Sequence, residues 1–277
     1  MNSSLTNQQI DENDLYYYSS IGDASSVLVI LDHGALVDTK NKDNNQTPLM
    51  VACIYGHTDC ATLLISRGAS LNTVDDAQAS STTALMYACT NNRIDCVRLL
   101  LAHGADAEVK DCCSVTPLMS ASRYGYTDCI SELHRYGADI NDTDAEGMTA
   151  LHWACFTGQK EAVIKLLEYG AILRLQDIYY KTALMNACIH NHLPCVEVLL
   201  SHKDMNIDIV NLTDDGGYTA LMWACECISD MQIVHILLQH GTDTRIESHR
   251  GETALKLTKL DSVKEILNTY NTTHYNY

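Results

Sequence analysis

The chain has 277 residues, with 35 Asp and Glu against 18 Lys and Arg, a formal net charge of −17. That charge repels nucleic-acid phosphates and anionic lipid, so neither is expected as a direct partner. The opening residues are polar and turn acidic with no basic-then-apolar leader, and no later segment has the length of a membrane span, so a cytoplasmic or nuclear protein without membrane insertion is expected.

The phrase Thr-Pro-Leu-Met-Val-Ala at residues 47–52 returns with few changes at Thr83, Thr116, Thr149, Thr182 and Thr219, and more weakly at Thr253. Subtracting successive threonine numbers gives 36, 33, 33, 33, 37 and 34. Self-similarity at such a period marks a repeat array, which lengthens without adding domains. In chain order, residues 1–12 form a polar tail and the first repeat covers 13–45. It keeps Leu15, Gly22, Val27, Leu28, Leu31 and Gly34 but carries Tyr18 where later units have alanine. Repeats follow near 46–81, 82–114, 115–147, 148–180, 181–217 and 218–251, then a shortened unit at 252–270 and a polar, frayed tail at 271–277. Terminal units have a neighbour on one side only, which accounts for their departures.

Repeat four shows every part of a unit. Thr116 caps a first helix with Pro117 in its first turn, where a missing N–H costs nothing. Leu118 and Ala121 face inward, and Gly125 ends the helix before Thr127. Cys129, Ile130 and Leu133 give the second helix its core stripe, and Gly137 supplies a left-handed terminus before a polar hairpin at 139–148. Two units are longer: three extra residues lie within 75–82, a Ser/Ala/Gln-rich finger, and four more fall across 201–218.

Cys53, Cys89, Cys155, Cys188 and Cys225 stand six residues after their threonines; Cys60, Cys96, Cys129 and Cys195 stand thirteen after. These two columns take nine of the twelve cysteines and predict buried thiols, since free cysteine behaves as a small hydrophobe. Cys112, Cys113 and Cys227 are the expected exposed thiols. No nearby pair completes the four ligands that zinc takes, so no metal is expected. His33, His103 and His240 precede helix-ending glycines, where a ring nitrogen reaches a free carbonyl. The acidic pairs Asp75-Asp76 and Asp214-Asp215 and the run Asp142, Asp144, Glu146 read as solvated hairpin tips rather than catalytic carboxylates. No phosphate loop, Gly-x-Ser-x-Gly or His-Glu-x-x-His occurs, and neither catalytic residues nor a cofactor are expected.

The period and the Thr-x-Leu-x-x-Ala phrase resemble the ankyrin-repeat family over residues 13–270. The resemblance implies an all-α solenoid of helix-turn-helix units with projecting hairpin loops, a monomer, and a non-enzymatic adaptor, scaffold or inhibitor that binds a protein or peptide. The family's phrase carries a histidine that bonds around the capping threonine. Only His152 keeps it, while Met50, Met86, Met119, Met185 and Met222 are read as filling the space without that hydrogen bond.

The family usually binds through a concave side of first helices and hairpins. Four residues after each threonine stand Val51, Tyr87, Ser120, Trp153, Asn186, Trp223 and Leu257, with Phe156, Tyr179, Tyr180 and Tyr218 beside them. Tryptophan and tyrosine are enriched at interface hot spots. Tyr87, Trp153, Phe156, Tyr179, Tyr180, Tyr218 and Trp223 are therefore the candidate partner-binding residues, the alternative being that both tryptophans are core. Acidic hairpins beside them predict a partner with basic residues around an apolar anchor. Two other readings stay open. Leu133, Asp139, Ile140 and Asn141 match the target of an asparaginyl hydroxylase that acts on the family, and the cysteines and histidines allow a metal-binding or enzymatic protein.

Overall fold

The computed structural model describes residues 12–75, 80–227 and 231–275. Six units start on the same local chemistry. Thr47, Thr83, Thr149, Thr182 and Thr219 stand in extended backbone, and each Oγ1 accepts the N–H three residues on at 3.2–3.4 Å. Thr116 does the same for Met119 at 3.3 Å, whereas Thr253 makes no such bond, in keeping with its weaker phrase. A cap of this kind contributes about 1 kcal/mol, which matters for helices of only seven or eight residues.

The helices run in pairs: α1 (Glu12–Ile21) with α2 (Ala24–Asp32), α3 (Pro48–Tyr55) with α4 (Thr58–Ser66), α5 (Ala84–Thr90) with α6 (Ile94–Ala102), and α7 (Pro117–Arg123) with α8 (Thr127–Arg135). They continue as α9 (Ala150–Phe156) with α10 (Lys160–Glu168), α11 (Ala183–Ile189) with α12 (Leu193–Ser201), a single turn α13 (Ile207–Val210), α14 (Ala220–Glu226) with α15 (Met231–Gln239), and α16 (Ala254–Leu257) with α17 (Asp261–Tyr275). The chain divides into one compact unit of residues 1–121 and 128–139 and another of 122–127 and 140–277. Among the described residues the only strand-like pairing is an isolated bridge between Gln176 and Thr182, and no helix is long and apolar enough to cross a membrane.

Within each unit the core is the line of first-helix Leu and Ala side chains and the second-helix stripe. Leu49, Leu85, Leu118, Leu151 and Leu166 are all essentially inaccessible. All nine column cysteines are buried and Cys112, Cys113 and Cys227 are exposed, as the register predicts. Ser19 and Ser122 occupy the first cysteine column in repeats one and four, and both are fully buried. The position therefore selects for a small side chain rather than for sulfur. Burial pushes the Cys60 and Cys195 thiols up to about 11 and Cys225 up to about 12. His33, His103 and His240 donate from Nδ1 to the carbonyls of Val29, Leu99 and Ile236 at 2.7–2.9 Å. Gly137, at φ 90°, holds the left-handed turn after α8.

Four expectations need correcting. The methionines are not mere filling: the Sδ of Met50 and of Met119 accepts the N–H of Thr47 and Thr116 at 3.3 and 3.5 Å, a weak version of the bond His152 makes. The lengthened connection of repeat six is not an open loop. Asn206 Oδ1 caps the N–H of Ile209 at 3.0 Å, which starts α13 and buries Val210. The tail predicted at 271–277 is helical through Tyr275: Asn271 accepts from Thr244, and Arg245 lies 4.1 Å over the Tyr275 ring. Finally, Asp75, Asp144 and Asp214 are buried rather than solvated. The first tail at 1–12, apart from Glu12, and residues 76–79 of the finger within 75–82, Asp76 included, lie outside the described residues.

Candidate partner-binding surface

Five hairpins are folded around an aspartate, Asp75, Asp111, Asp144, Asp177 or Asp214, while Asn41 and Ser248 take that place in the first and last. Asp144 Oδ1 accepts the N–H groups of Glu146 and Met148, both at 2.9 Å. Asp177 takes those of Tyr179 and Lys181 at 2.8 Å, and Asp214 those of Gly216 and Tyr218 at 2.9 and 2.8 Å. A carboxylate is chosen because one oxygen satisfies two converging donors while the other stays available. In two repeats the second oxygen holds a tryptophan. Trp153 Nε1 donates to Asp144 Oδ2 and Trp223 Nε1 to Asp214 Oδ2, each at 2.9 Å. The carboxylates are buried because they clamp the hairpin to the first helix behind it.

This clamp decides how the tryptophans sit. Both are half-buried: the N–H edge is fixed inward while part of the ring stays open. Each open ring carries a cation. The Arg123 guanidinium lies 4.7 Å from the Trp153 ring centroid, and the Lys181 ammonium lies 5.0 Å from that of Trp223 and 5.7 Å from that of Tyr179. Phe156 packs edge-on against Trp153 at 5.8 Å and against His190 at 4.2 Å. Burial, then His192 and Lys181, hold the His190 imidazole below its ordinary value. Tyr218 lies 5.0 Å from Trp223, and its hydroxyl donates to Glu252 at 3.2 Å. Burial and the nearby Glu226 and Glu252 carboxylates push that phenol up.

Tyr179, Lys181, Tyr218, Trp223, Asp215 and Glu226 border one open pocket of about 390 Å³, with His249 and Arg250 also on its wall. The neighbouring hairpin comes close here: a side chain at Gly217, φ 79°, would meet the backbone N of His249 at 2.9 Å. Asn186, between the two tryptophans in the column, is buried with its Nδ2 unpartnered.

Tyr180 stands apart from the others. It is 59% exposed at φ 59°, a left-handed backbone that costs a bulky residue about 1–2 kcal/mol. The same hairpin position holds Asn45, Ser81, Ser114, Gly147, Gly217 and Gly251, all at positive φ and all small. Gln176 Nε2 donates to the Tyr180 carbonyl and to that of Thr213, which fixes the turn.

The predicted residues therefore fall in two places. Trp153, Phe156, Tyr179, Tyr180, Tyr218 and Trp223 all belong to the unit of residues 122–127 and 140–277. Tyr87 belongs to the other unit, where its hydroxyl donates to Asp75 and accepts from Gln46 Nε2 at 2.9 Å. Burial and then Asp75 push the Tyr87 phenol up to about 12. Asn141 is held at both ends of its amide, accepting from Ile172 N at 2.9 Å and donating to the Gly170 carbonyl at 3.2 Å. Asn72 and Asn211 accept the N–H groups of Asp106 and Asp243 in the same way. His152 is buried, with Nδ1 on Thr149 and Nε2 3.2 Å from the Lys181 carbonyl, a structural tie between repeats. Asp111, Cys112 and Cys113 bring three ligand atoms within 4.8 Å of one another, but Asp111 Oδ1 already holds its hairpin through Cys113 N and Val115 N.

Arg123, Lys181, Asp144 and Asp214 were missed by sequence reasoning. A signal for the acids was present: each precedes its tryptophan by nine residues. The cations carried none, since they reach rings 30 and 42 residues later in the chain.

The family model described as "Ankyrin repeats (3 copies)" matches residues 15–111, 103–177 and 173–248. A curated relative, ankyrin repeat protein L122 of Acanthamoeba polyphaga mimivirus, is 37% identical over 59 residues, which are 20% of this chain and 9% of that protein. The chain thus spans about a tenth of that relative's length. The crystal structure of the human ASB11 ankyrin repeat domain aligns with a TM-score of 0.63 at 22% identity, covering 92% of this chain and 96% of that one, a likeness of fold. With the family model covering most of its length and the threonine-capped helix pairs in place, the chain belongs to the ankyrin-repeat family, whose repeats are generally protein-interaction modules.

Proposed function

We propose that this chain is a non-enzymatic adaptor, scaffold or inhibitor that binds a partner protein or peptide through the first helices and hairpins of repeats five to seven. The observation that carries this reading is Tyr180. A largely exposed tyrosine in a left-handed turn position that the other described hairpins fill with a small residue carries a backbone cost that burial of its ring does little to offset. Strain at an exposed aromatic is characteristic of recognition sites. Trp153, Phe156, Tyr179, Tyr218 and Trp223 extend the patch, and exposed Asp215 and Glu226 favour a partner with basic residues around an apolar anchor.

The test is affinity capture from native extract, followed by binding constants for Tyr180→Asn and for the opposite-helix control Lys165→Ala. Loss of a hot-spot residue should cost about 2 kcal/mol, roughly thirtyfold. Equal binding by wild type and Tyr180→Asn would remove this site.

A further inference from the structure

Resting on the reading of repeats five to seven as a binding surface, we infer that the pocket over Trp223 is a cation subsite whose external ligand is an arginine side chain of the partner, and that Lys181 is its built-in occupant in the free protein. The Lys181 ammonium lies within 6 Å of two aromatic centroids, 5.0 Å from Trp223 and 5.7 Å from Tyr179, the range in which a ring face attracts a cation. It makes no ion pair with any carboxylate within 4 Å among the described residues. An ammonium held only by rings, at the end of a flexible four-carbon stem, is easily moved aside. Its backbone is not, since the Lys181 carbonyl accepts from Asp177 N and its N–H is held by Asp177 Oδ1. The side chain can leave while the hairpin stays.

What remains on removing Lys181 suits a guanidinium. The Trp223 indole is locked edge-on by Asp214, so its face cannot rotate away. Asp215 and Glu226 are exposed on the same pocket, with no ion pair within 4 Å among the described residues. With Lys181 gone, the remaining cation Arg250 is outnumbered by these two carboxylates, and the chain's charge of −17 adds to the attraction. A planar guanidinium can stack on the indole and take a carboxylate bidentately, which a lysine cannot. The molecule supplies its own precedent: at Trp153, the equivalent column position, the capping group is the Arg123 guanidinium at 4.7 Å.

The probe is acetyl-Gly-Arg-Leu-Arg-Gly-amide, with its citrulline counterpart, which has nearly the same shape and no charge. Both are titrated into the full chain and followed by tryptophan fluorescence. The arginine peptide should bind about tenfold more tightly than the citrulline peptide, as expected for a partly desolvated cation over a ring. Lys181→Met removes the competing cation at similar length and should tighten the arginine peptide about threefold or more, while Glu226→Gln should weaken it. Melting curves of both variants verify folding, Glu226 being exposed and Lys181 half-buried. Equal affinity for the two peptides, no binding of either, or weaker arginine binding by Lys181→Met would overturn the subsite. The captured partner separates the two readings. If Tyr180→Asn weakens it while Lys181→Met and Glu226→Gln leave it unchanged, the surface stands and the arginine subsite falls; if none of the three matters, both fall.

Discussion

Replacing Asp214 by alanine removes the acceptor of three hydrogen bonds, from Gly216 N, Tyr218 N and Trp223 Nε1, all at 2.8–2.9 Å. Asp177→Ala removes the equivalent backbone pair, from Tyr179 N and Lys181 N, but no indole, because Asn186 stands where a tryptophan would be. A hydrogen bond to a charged group contributes about 1.5–3 kcal/mol. The hairpin donors are partly exposed and can turn to water, so the lower end applies to each, giving a loss near 3 kcal/mol for Asp177→Ala. Asp214→Ala should exceed that by about 1.5 kcal/mol, the share of the indole. Trp223→Phe isolates this share, since it keeps an aromatic ring and deletes the N–H. In a double-mutant cycle with Asp214→Ala, measured by urea unfolding with far-UV circular dichroism as the probe, the coupling should be about 1.5 kcal/mol. A coupling within about 0.3 kcal/mol of zero would refute the clamp and, with it, the account of why the tryptophans hold their faces open.

Other outcomes follow from the same geometry. Tyr180→Asn relieves a left-handed tyrosine with a residue that tolerates that backbone, as Asn45 does, and should raise stability by about 0.5–1 kcal/mol; a lower melting temperature would count against strain at this site. His152 is buried, and burial holds its imidazole below the ordinary value despite the carbonyl of Lys181. The folded chain refuses a proton that the unfolded chain accepts near pH ~6.5, so this contribution to stability is full above that pH and is lost as pH falls from about 7 toward 5. His152→Met, the residue of five other units, should flatten the decline, and an unchanged slope would contradict the assignment. Native labelling with a thiol reagent should modify Cys112 and Cys113 first. Cys227 should follow more slowly, since burial and then Glu226 push its thiol up; early labelling of Cys96 or Cys188 would show that the columns open.

Much of the fold is legible because it is written in short-range terms. Thr-x-Leu-x-x-Ala states a cap, an inward leucine and a small contact one turn on, and repetition turns a weak local signal into a register that places nine cysteines in the core. The surface is harder to read. Asp144 and Asp214 look like solvated turn residues until the hairpin folds back on the helix that follows, and only then does their second oxygen meet an indole. The helical turn at Ile207–Val210 was hidden by a sequence that also suits a loop, because burial of Val210 against its neighbours decides the matter. Arg123 and Lys181 meet their rings across repeats. No spacing rule applies there, since long flexible side chains choose among several rings.

The central claim is that the aromatic face of repeats five to seven binds a partner. It is tested most directly by the affinity of the captured partner for Tyr180→Asn, with melting measured on the same sample. The account predicts binding weakened roughly thirtyfold by a protein that melts at or above the wild-type temperature. Wild-type affinity in a stably folded Tyr180→Asn would contradict it.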